Sequence, residues 1–505
     1  MTHARDRWGF SLPLFGAALA LLFSMSPTLA NAWTPLPVRD DPLLRMPGSQ
    51  PAAFNAAGVP LEGSGRCLNC HDGYAPEVDP GFHWEGSMMA QAARDPLFWA
   101  AVAVAAQDSI WAIGRPNATD LCLRCHTPPG WLAERSDPTN GAALAGDDFD
   151  GVSCDSCHRM FDPFFEETHA GLREGSDWVG YWDEASALSS SAALATLSAD
   201  RLESSSLLFF DGSPFYGVDA RPISADWLEA GGGQYFMSTA ADKRASFADD
   251  VARHGSLYSR FHKSRYFCQT CHDVSNAVLQ NLGPATTLPG GEVVLPAELS
   301  SASSYFHVER TFSEFLLSDF GQGPGAPGIG PFAPGVFQTS RPGELIATCQ
   351  DCHMPDRVGP GCDKPDAPIR PADSLEHPAS GQPLHDLTGG NAWIPWLLAS
   401  TVATAANYDP VNEALLAAGP ATLTMDLGAG LGLNADALLA GVGRSVANLQ
   451  RAAAIESAAY ESVSGRSCFG SRTRRDTSSS AASPRGGACS SPSGSTTQRG
   501  RSCMR

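Results

Sequence analysis

The chain has 505 residues, a length that ordinarily corresponds to roughly two to four domains, each with its own apolar core. Its 50 Gly and 38 Pro interrupt most periodic apolar segments, which excludes large regular domains and suggests that something other than side chains fills the core. The formal net charge of −20 argues against nucleic-acid binding and favours basic partner proteins, although an acidic surface also serves solubility alone.

The N-terminus has the features of a secretory signal. Arg5 and Arg7 precede an apolar run at about 10–23, and Ala30-Asn31-Ala32 follows as a small-x-small cleavage site. The alternative of a retained membrane anchor is disfavoured because the run is shorter than the ~20 residues that a span requires. No later stretch of the sequence looks apolar for long enough to cross a membrane. We therefore predict a soluble protein, periplasmic or otherwise exported, that begins at Trp33 after cleavage following Ala32.

The mature sequence divides into five parts by composition and by the position of its cysteine motifs. The predicted helices lie at 87–107, 310–317 and 412–454, where apolar residues recur at intervals of three and four. The motif-free insertion at 175–250 would be a surface flap or a small partner-docking module. The parts are a region with three motifs at 33–174, a motif-free insertion at 175–250, a region with two motifs at 251–400, a helical segment at 401–461 and a low-complexity tail at 462–505.

Five C-x-x-C-H motifs account for ten of the 14 Cys. Two thiols three positions apart reach the two vinyl groups of one porphyrin, and the adjacent His then ligates the iron. Chance would produce on the order of 0.01 such motifs in a chain of this composition. Disulfides or zinc sites would not explain a His after every second Cys. The sequence therefore predicts five covalent c-type haems, attached at Cys67, Cys70 and His71; Cys122, Cys125 and His126; Cys154, Cys157 and His158; Cys268, Cys271 and His272; and Cys349, Cys352 and His353.

Seven further His in the mature chain could supply sixth ligands, more than five irons require. This supply favours six-coordinate, low-spin haems over open, substrate-binding ones. His83 sits just before the predicted helix at 87–107, a position from which a helix start could present it. His254 and His262 are eight residues apart, about two helical turns, and could face one side of a helix. His385 lies on a polar loop. The remaining candidates are His169, His307 and His377.

Several motif surroundings resemble those of a known group. Gly151-Val152-Ser153-Cys154-Asp155-Ser156-Cys157-His158 and His385-Asp386-Leu387-Thr388-Gly389-Gly390-Asn391 are similar to the multihaem cytochromes related to the tetrahaem cytochromes and octahaem hydroxylamine oxidoreductases of nitrogen metabolism. The resemblance spans roughly 71–450. It implies a mainly α fold with much irregular loop, wrapped around a covalent multihaem core, and periplasmic electron transfer. It also supports His83, His254 and His385 as distal ligands, followed by His262 and His169.

The chain departs from the catalytic members of that group. None of its five motifs has the Lys that marks a nitrite-reductase-type active haem, and five motifs are fewer than hydroxylamine oxidoreductases carry. An electron carrier is therefore favoured over an oxidoreductase that acts on a small nitrogen or sulfur compound at one open haem. The expected partners are redox proteins, a membrane-bound electron-transfer complex among them. The oligomeric state is left open.

The composition changes abruptly at about Ser462, after which Ser, Arg and Gly dominate. Such a tail is typically disordered. The resemblance, however, implies a β-rich continuation that contains Thr-Gly-His-Lys-Leu. Codons allowed for 474–489 can encode a run of this kind when they are read two bases later. We hypothesise that the reading frame shifts near Ser462, so that the tail is aberrant and a family His ligand is missing.

Overall fold

The computed structural model describes 36–41, 44, 48–162, 187–204, 235–280, 305–309, 311–372, 381–418, 425–461, 466–473 and 499–504. The signal segment and His169 and His377 lie outside these residues, as does most of the predicted insertion. The chain divides into two units, Met1–Pro37 and Val38–Arg505, and all the elements below belong to the second.

Helices dominate the described residues, as the sequence predicts, and most of them are short. Long irregular connections separate them, in keeping with the many Gly and Pro. The 14 α-helices of the described residues are α1 Pro51–Ala57, α2 Ser64–His71, α3 Pro80–Glu85, α4 Pro96–Ile113, α5 Asp120–His126, α6 Pro128–Leu132, α7 Cys154–His158, α8 Ala187–Ser204, α9 Arg265–His272, α10 Thr311–Leu317, α11 Cys349–His353, α12 Trp393–Ala399, α13 Pro410–Ala418 and α14 Ala435–Ala452.

The β-structure of the described residues consists of small, separate sheets. Five of the sheets in the described residues have two strands each, and among these five only the sheet of β1 and β2 is parallel. The last sheet has three antiparallel strands in the order β11, β12, β13. The strands are β1 Lys243–Ala245, β2 Ser256–Tyr258, β3 Val274–Gln280, β4 Tyr305–Glu309, β5 Ala326–Pro327, β6 Leu345–Ile346, β7 Asp356–Arg357, β8 Gly359–Pro360, β9 Ile369–Arg370, β10 Gln382–Pro383, β11 Ala453–Glu461, β12 Arg466–Thr473 and β13 Arg499–Met504.

Helix α4 corrects the predicted helix at 87–107. It begins only at Pro96, because Asp95 caps it by accepting a hydrogen bond from the Leu97 N–H at 2.8 Å and Pro is well suited to the first helical position. It is the one described helix that is long and apolar enough to span a membrane by length and composition, contrary to the prediction that no later stretch would be. Its Phe98, Trp99 and Val102 are nevertheless buried in the protein core.

The predicted helix at 412–454 is divided. Helix α13 ends at Ala418 and α14 begins at Ala435, with Gly428, Gly430 and Gly432 between them. Gly430 and Gly432 have positive φ angles of 61° and 72°, which a helix does not allow. Helix α10, by contrast, lies where the sequence predicts one.

The tail differs from the prediction of a segment without regular structure. Strands β12 and β13 lie within 462–505, and each forms backbone hydrogen bonds with its antiparallel neighbour. Backbone pairing of this kind does not depend on an apolar side-chain pattern, so composition alone did not reveal it. Residues 474–498 lie outside the described part, and for them the expectation of disorder stays a prediction.

The apolar core is split into clusters that lie around the cysteine motifs. The largest contains Phe54, Trp99, Leu123 and Trp131, and motif cysteines pack against it. A second cluster contains Phe315 and Ile346, and Cys352 packs against it. Side chains thus form a wall around the motifs, as expected if another group completes the interior.

A buried ion pair joins the beginning of the fold to its end. Arg94 and Asp150, each 1% exposed, are 2.8 Å apart, and Arg94 also donates to the Ala429 carbonyl at 2.6 Å. Asp150 in turn accepts from the Leu431 N–H at 3.1 Å. The segment that leads into α14 is therefore attached directly to the region that carries the first three motifs.

Candidate haem-binding site

Each of the five motifs forms the C-terminal end of a short helix that stops at the motif His. Residues three apart on a helix lie on the same face, so both thiols of a motif point to the same side. Helix α7 is capped by Ser153, which accepts from the Ser156 N–H at 3.2 Å. In α11 the cap is Thr348 together with Asp351. Residues between the two cysteines therefore stabilise the helical turn that orients them.

Sulfur contacts connect motifs that are far apart in the sequence. The half-buried thiols of Cys67 and Cys154 lie close enough to interact, which brings the first and third motifs together. Cys125 and Cys271 join the second and fourth motifs in the same way. Cys268 and Cys349 connect the fourth motif with the fifth. Cys157 and Cys271 also influence each other electrostatically. The fold thus gathers all five motifs into one cluster.

The cluster surrounds a cavity of about 1000 Å³, at the upper end of the range for small-molecule sites. Seven cysteines from four motifs and seven histidines line it, and the fifth motif reaches it through Gln350, beside the adjacent Met354. The lining histidines are His71, His126, His158, His254, His262, His272 and His385.

Backbone carbonyls from other segments hold three motif histidines in place. The Nδ1 of His71 lies 2.7 Å from the Gly361 carbonyl oxygen, and that of His158 lies 2.7 Å from the Arg244 carbonyl oxygen. The Nδ1 of His353 is 2.5 Å from the carbonyl oxygen of Thr388. A carbonyl can only accept, so each Nδ1 carries the proton and Nε2 keeps the lone pair that a metal requires. Sequence reasoning missed these three carbonyls, because a backbone acceptor leaves no residue-type signal.

Burial keeps the clustered imidazoles neutral. It lowers the pKa of His71 and His158, and it lowers the pKa of His126 to about 4. For His262 and His385 burial lowers the pKa to about 3. A neutral imidazole is the form that binds a metal.

His158 has two candidate distal ligands beside it. The ring centroids of His158 and His262 are 5.7 Å apart, and those of His158 and His385 are 6.0 Å apart. The two candidates differ in their protons. His262 Nε2 is 3.0 Å from the Cys157 carbonyl oxygen and must donate to it, whereas His385 Nδ1 donates to the Pro383 carbonyl at 3.0 Å. His385 therefore has its lone pair on Nε2, and His262 does not.

His83 lies inside helix α3 and not ahead of a helix start, which corrects the predicted placement. It is 5% exposed, and neither ring nitrogen has a hydrogen-bond partner at bonding geometry, although backbone at Pro76 and Glu77 is close enough to act on it. Burial is the main cause that lowers its pKa to about 4. A buried imidazole without a bonded partner carries a desolvation cost that a metal bond would offset.

The other predicted distal ligands fare differently. His254 lines the cavity but is exposed, and strand β2 separates it from His262, so the two do not share a helix. His169 and His377 lie outside the described residues. For His307 only the backbone is described. It pairs with Ser275 across strands β3 and β4, and Ser275 follows the motif residue His272 by three positions in the sequence.

His126 and His272 form a second group. The ring of Phe98 stacks on His126 at a centroid distance of 3.9 Å, and His126 Nδ1 is buried without a hydrogen-bond partner. The histidine that acts on His126 electrostatically is His272, itself a motif residue. No distal candidate among the described side chains is recorded in contact with either of them.

These residues fit covalent haem. Paired thiols on one helix face and neutral imidazoles meet at one cavity, and buried ring nitrogens without a partner at bonding geometry occur at His126, which lines the cavity, and at His83. Thioether formation would also remove thiols such as Cys157 and Cys122, whose ionisation the surroundings oppose: burial raises the pKa of Cys157 to about 12 and that of Cys122 to about 11.

The family described as cytochrome c554 and c-prime matches residues 66–159, the stretch that holds the first three motifs. Comparisons with curated proteins and with solved structures gave no match. Covalent c-type haem and electron transfer are the general properties of such a family. Over residues 66–159, the chain is therefore similar to a multihaem c-type cytochrome family.

Proposed function

We propose that this protein is an exported pentahaem c-type cytochrome that passes electrons between redox partner proteins. The observation that carries the proposal is that five helix-terminal C-x-x-C-H motifs lie together, four of them with cysteines lining one cavity and the fifth reaching that cavity through Gln350. The ten motif cysteines would hold the porphyrins, and the five motif histidines would ligate the irons. Bound haem would supply the one-electron chemistry.

Contacts between the motifs support electron transfer from one haem to the next. Each thioether sulfur is bonded to a porphyrin edge, so the sulfur contacts between Cys67 and Cys154, Cys125 and Cys271, and Cys268 and Cys349 would bring neighbouring edges close. The protein's own role is to fix these distances and to exclude water through the surrounding apolar clusters.

A specific observation keeps a second function in consideration. The described distal candidates His254, His262 and His385 act on His71 and His158, whereas no distal candidate among the described side chains acts on His126 or His272. An iron without a sixth ligand at the second or fourth motif could bind a small nitrogen or sulfur compound. Electron paramagnetic resonance of the oxidised protein separates the two functions. Uniformly low-spin signals support the carrier, and a high-spin signal supports the oxidoreductase.

The decisive experiment counts haems. Co-expression with a cytochrome c maturation system should give five haems per chain in a pyridine haemochrome assay, and the double variant Cys268→Ser, Cys271→Ser should give four. Cys362→Ser is the matched control, because Cys362 lines the same cavity but belongs to no motif, and it should keep five. Three haems or fewer in the unmodified protein would refute the proposal.

A further inference from the structure

Helix α14 places a polar side chain on the carbonyl that holds a motif histidine. Its buried stripe contains Leu438, Gly441, Ser445 and Asn448, spaced so that they face one side. At the end of this stripe, Asn448 Nδ2 donates to the Thr388 carbonyl oxygen at 3.3 Å. The same oxygen accepts from His353 Nδ1 at 2.5 Å.

The loop between His385 and α12 is held by α14 at a second point. Arg444, one turn before Asn448, lies 3.6 Å from a carboxylate oxygen of Asp386. That carboxylate accepts from the Thr388 hydroxyl at 2.8 Å. Asn448 and Thr388 are each 8% exposed, so these bonds lie away from bulk water, where they are worth more. Two side chains of α14 therefore hold Thr388 in position. Asn448 donates directly to its carbonyl, and Arg444 acts on its hydroxyl through Asp386.

We infer that Asn448 tunes the reduction potential of the haem bound at the fifth motif. The inference rests on the proposed function, since it needs an iron on His353. A hydrogen bond from Nδ1–H to a carbonyl makes the imidazole more basic and stabilises the ferric iron. When Asn448 donates to the same oxygen, it withdraws electron density from that acceptor and weakens the bond from His353. Asn448 thus raises the potential, acting as a positioning residue through Thr388.

The test is a spectroelectrochemical titration of the haem-loaded protein carrying Asn448→Leu, which keeps the volume but removes the donor. We expect one haem to shift its one-electron equilibrium towards the ferric state by about fivefold, or about 40 mV to lower potential at about 59 mV per tenfold. The other haems should keep their potentials, and the haem count should be unchanged. Val446→Ala is the matched control on the same helix, because Val446 is 40% exposed. It should shift nothing.

Asn448→Ala provides a second variant in case Leu is not accommodated. Unchanged midpoint potentials in haem-replete variants, or a shift to higher potential, would each overturn the inference. Loss of haem from both variants would also overturn it, because Asn448 would then have a purely structural role. Failure of the proposed function looks different, because the unmodified protein itself would then lack the expected haems.

Discussion

Among the candidate distal ligands, His83 has the surroundings that most directly indicate a bond to a metal. It is buried in α3 with both ring nitrogens lacking bonded partners. We expect His83→Ala to convert one low-spin haem to high spin and to shift its potential without loss of haem, because the thioethers remain. Optical and paramagnetic resonance spectra of the loaded protein measure this. Asn69→Ala, an exposed change inside the first motif, should leave the spectra unaltered. Loss of covalent haem from His83→Ala would contradict the assignment.

The protons on His262 and His385 predict which of the two ligates the iron of His158. His385 has its Nε2 lone pair available, whereas Nε2 of His262 donates to the Cys157 carbonyl. His385→Ala should therefore produce a high-spin haem, and His262→Ala should leave that haem low-spin. The two variants act as mutual controls, since both side chains are half-buried and both ring centroids lie at similar distances from that of His158. The reverse pattern of spectra would assign His262 as the ligand.

At the scale of residues, the sequence identifies groups whose chemistry is local. Paired thiols and their adjacent His are recognisable because the porphyrin imposes the spacing within five residues. Candidate distal ligands are different, because the two histidines beside His158, His262 and His385, come from distant parts of the chain. The carbonyls of Gly361, Arg244 and Thr388 carry no side-chain signature at all. Sequence could supply a set of candidates for these roles but not their pairing.

At the scale of elements, two glycines set how closely α14 approaches α3. A Cβ on Gly441 would lie 2.1 Å from the Gly86 carbonyl oxygen, and a Cβ on Gly86 would lie 2.2 Å from the Ala437 carbonyl oxygen. Both distances are far below van der Waals contact. The close crossing matters for the site because α3 carries His83 and α14 carries Asn448.

We expect Gly441→Ala to lower the free energy of unfolding by about 1–3 kcal/mol, because backbone must move to admit the methyl group. Gly443→Ala is the matched control on the same helix, since a Cβ there meets nothing within 4 Å. It should stabilise the protein by up to about 1 kcal/mol through the higher helix propensity of Ala. Denaturant unfolding of the haem-loaded variants measures both. Equal effects at the two positions would refute the close-packing argument.

Helix boundaries show where sequence periodicity is insufficient. Apolar spacing continues from about 87 to 107, yet the chain before Asp95 forms turns, and the cap at Asp95 with Pro96 determines where α4 starts. In the predicted helix at 412–454, glycines with positive φ override a continuing apolar pattern. In both cases local backbone chemistry decided the boundary, and the signal was present in the sequence as Asp-Pro and as clustered Gly.

At the scale of the whole molecule, the organisation follows from what fills the centre. Separate apolar clusters surround a cavity lined by thiols and imidazoles. A chain with so many Gly and Pro can adopt this arrangement because the covalent group would supply the interior that regular packing otherwise provides. The mainly helical class was therefore predictable from sequence, while the relative placement of the five motifs was not.

The tail after about Ser462 contains eight Arg and a single acidic residue, Asp476, although the whole chain has a net charge of −20. An abrupt reversal of charge together with loss of apolar periodicity is what a shifted reading frame produces. Codons allowed for Asp476 and Thr477 include a pair that, read two bases later, encodes His within the run implied by the family resemblance. We therefore predict that resequencing the locus will reveal a frame change near Ser462 and that the corrected product will contain an additional His ligand. An uninterrupted frame through Arg505, together with a peptide from the Arg-rich tail detected by mass spectrometry, would show that the tail is native.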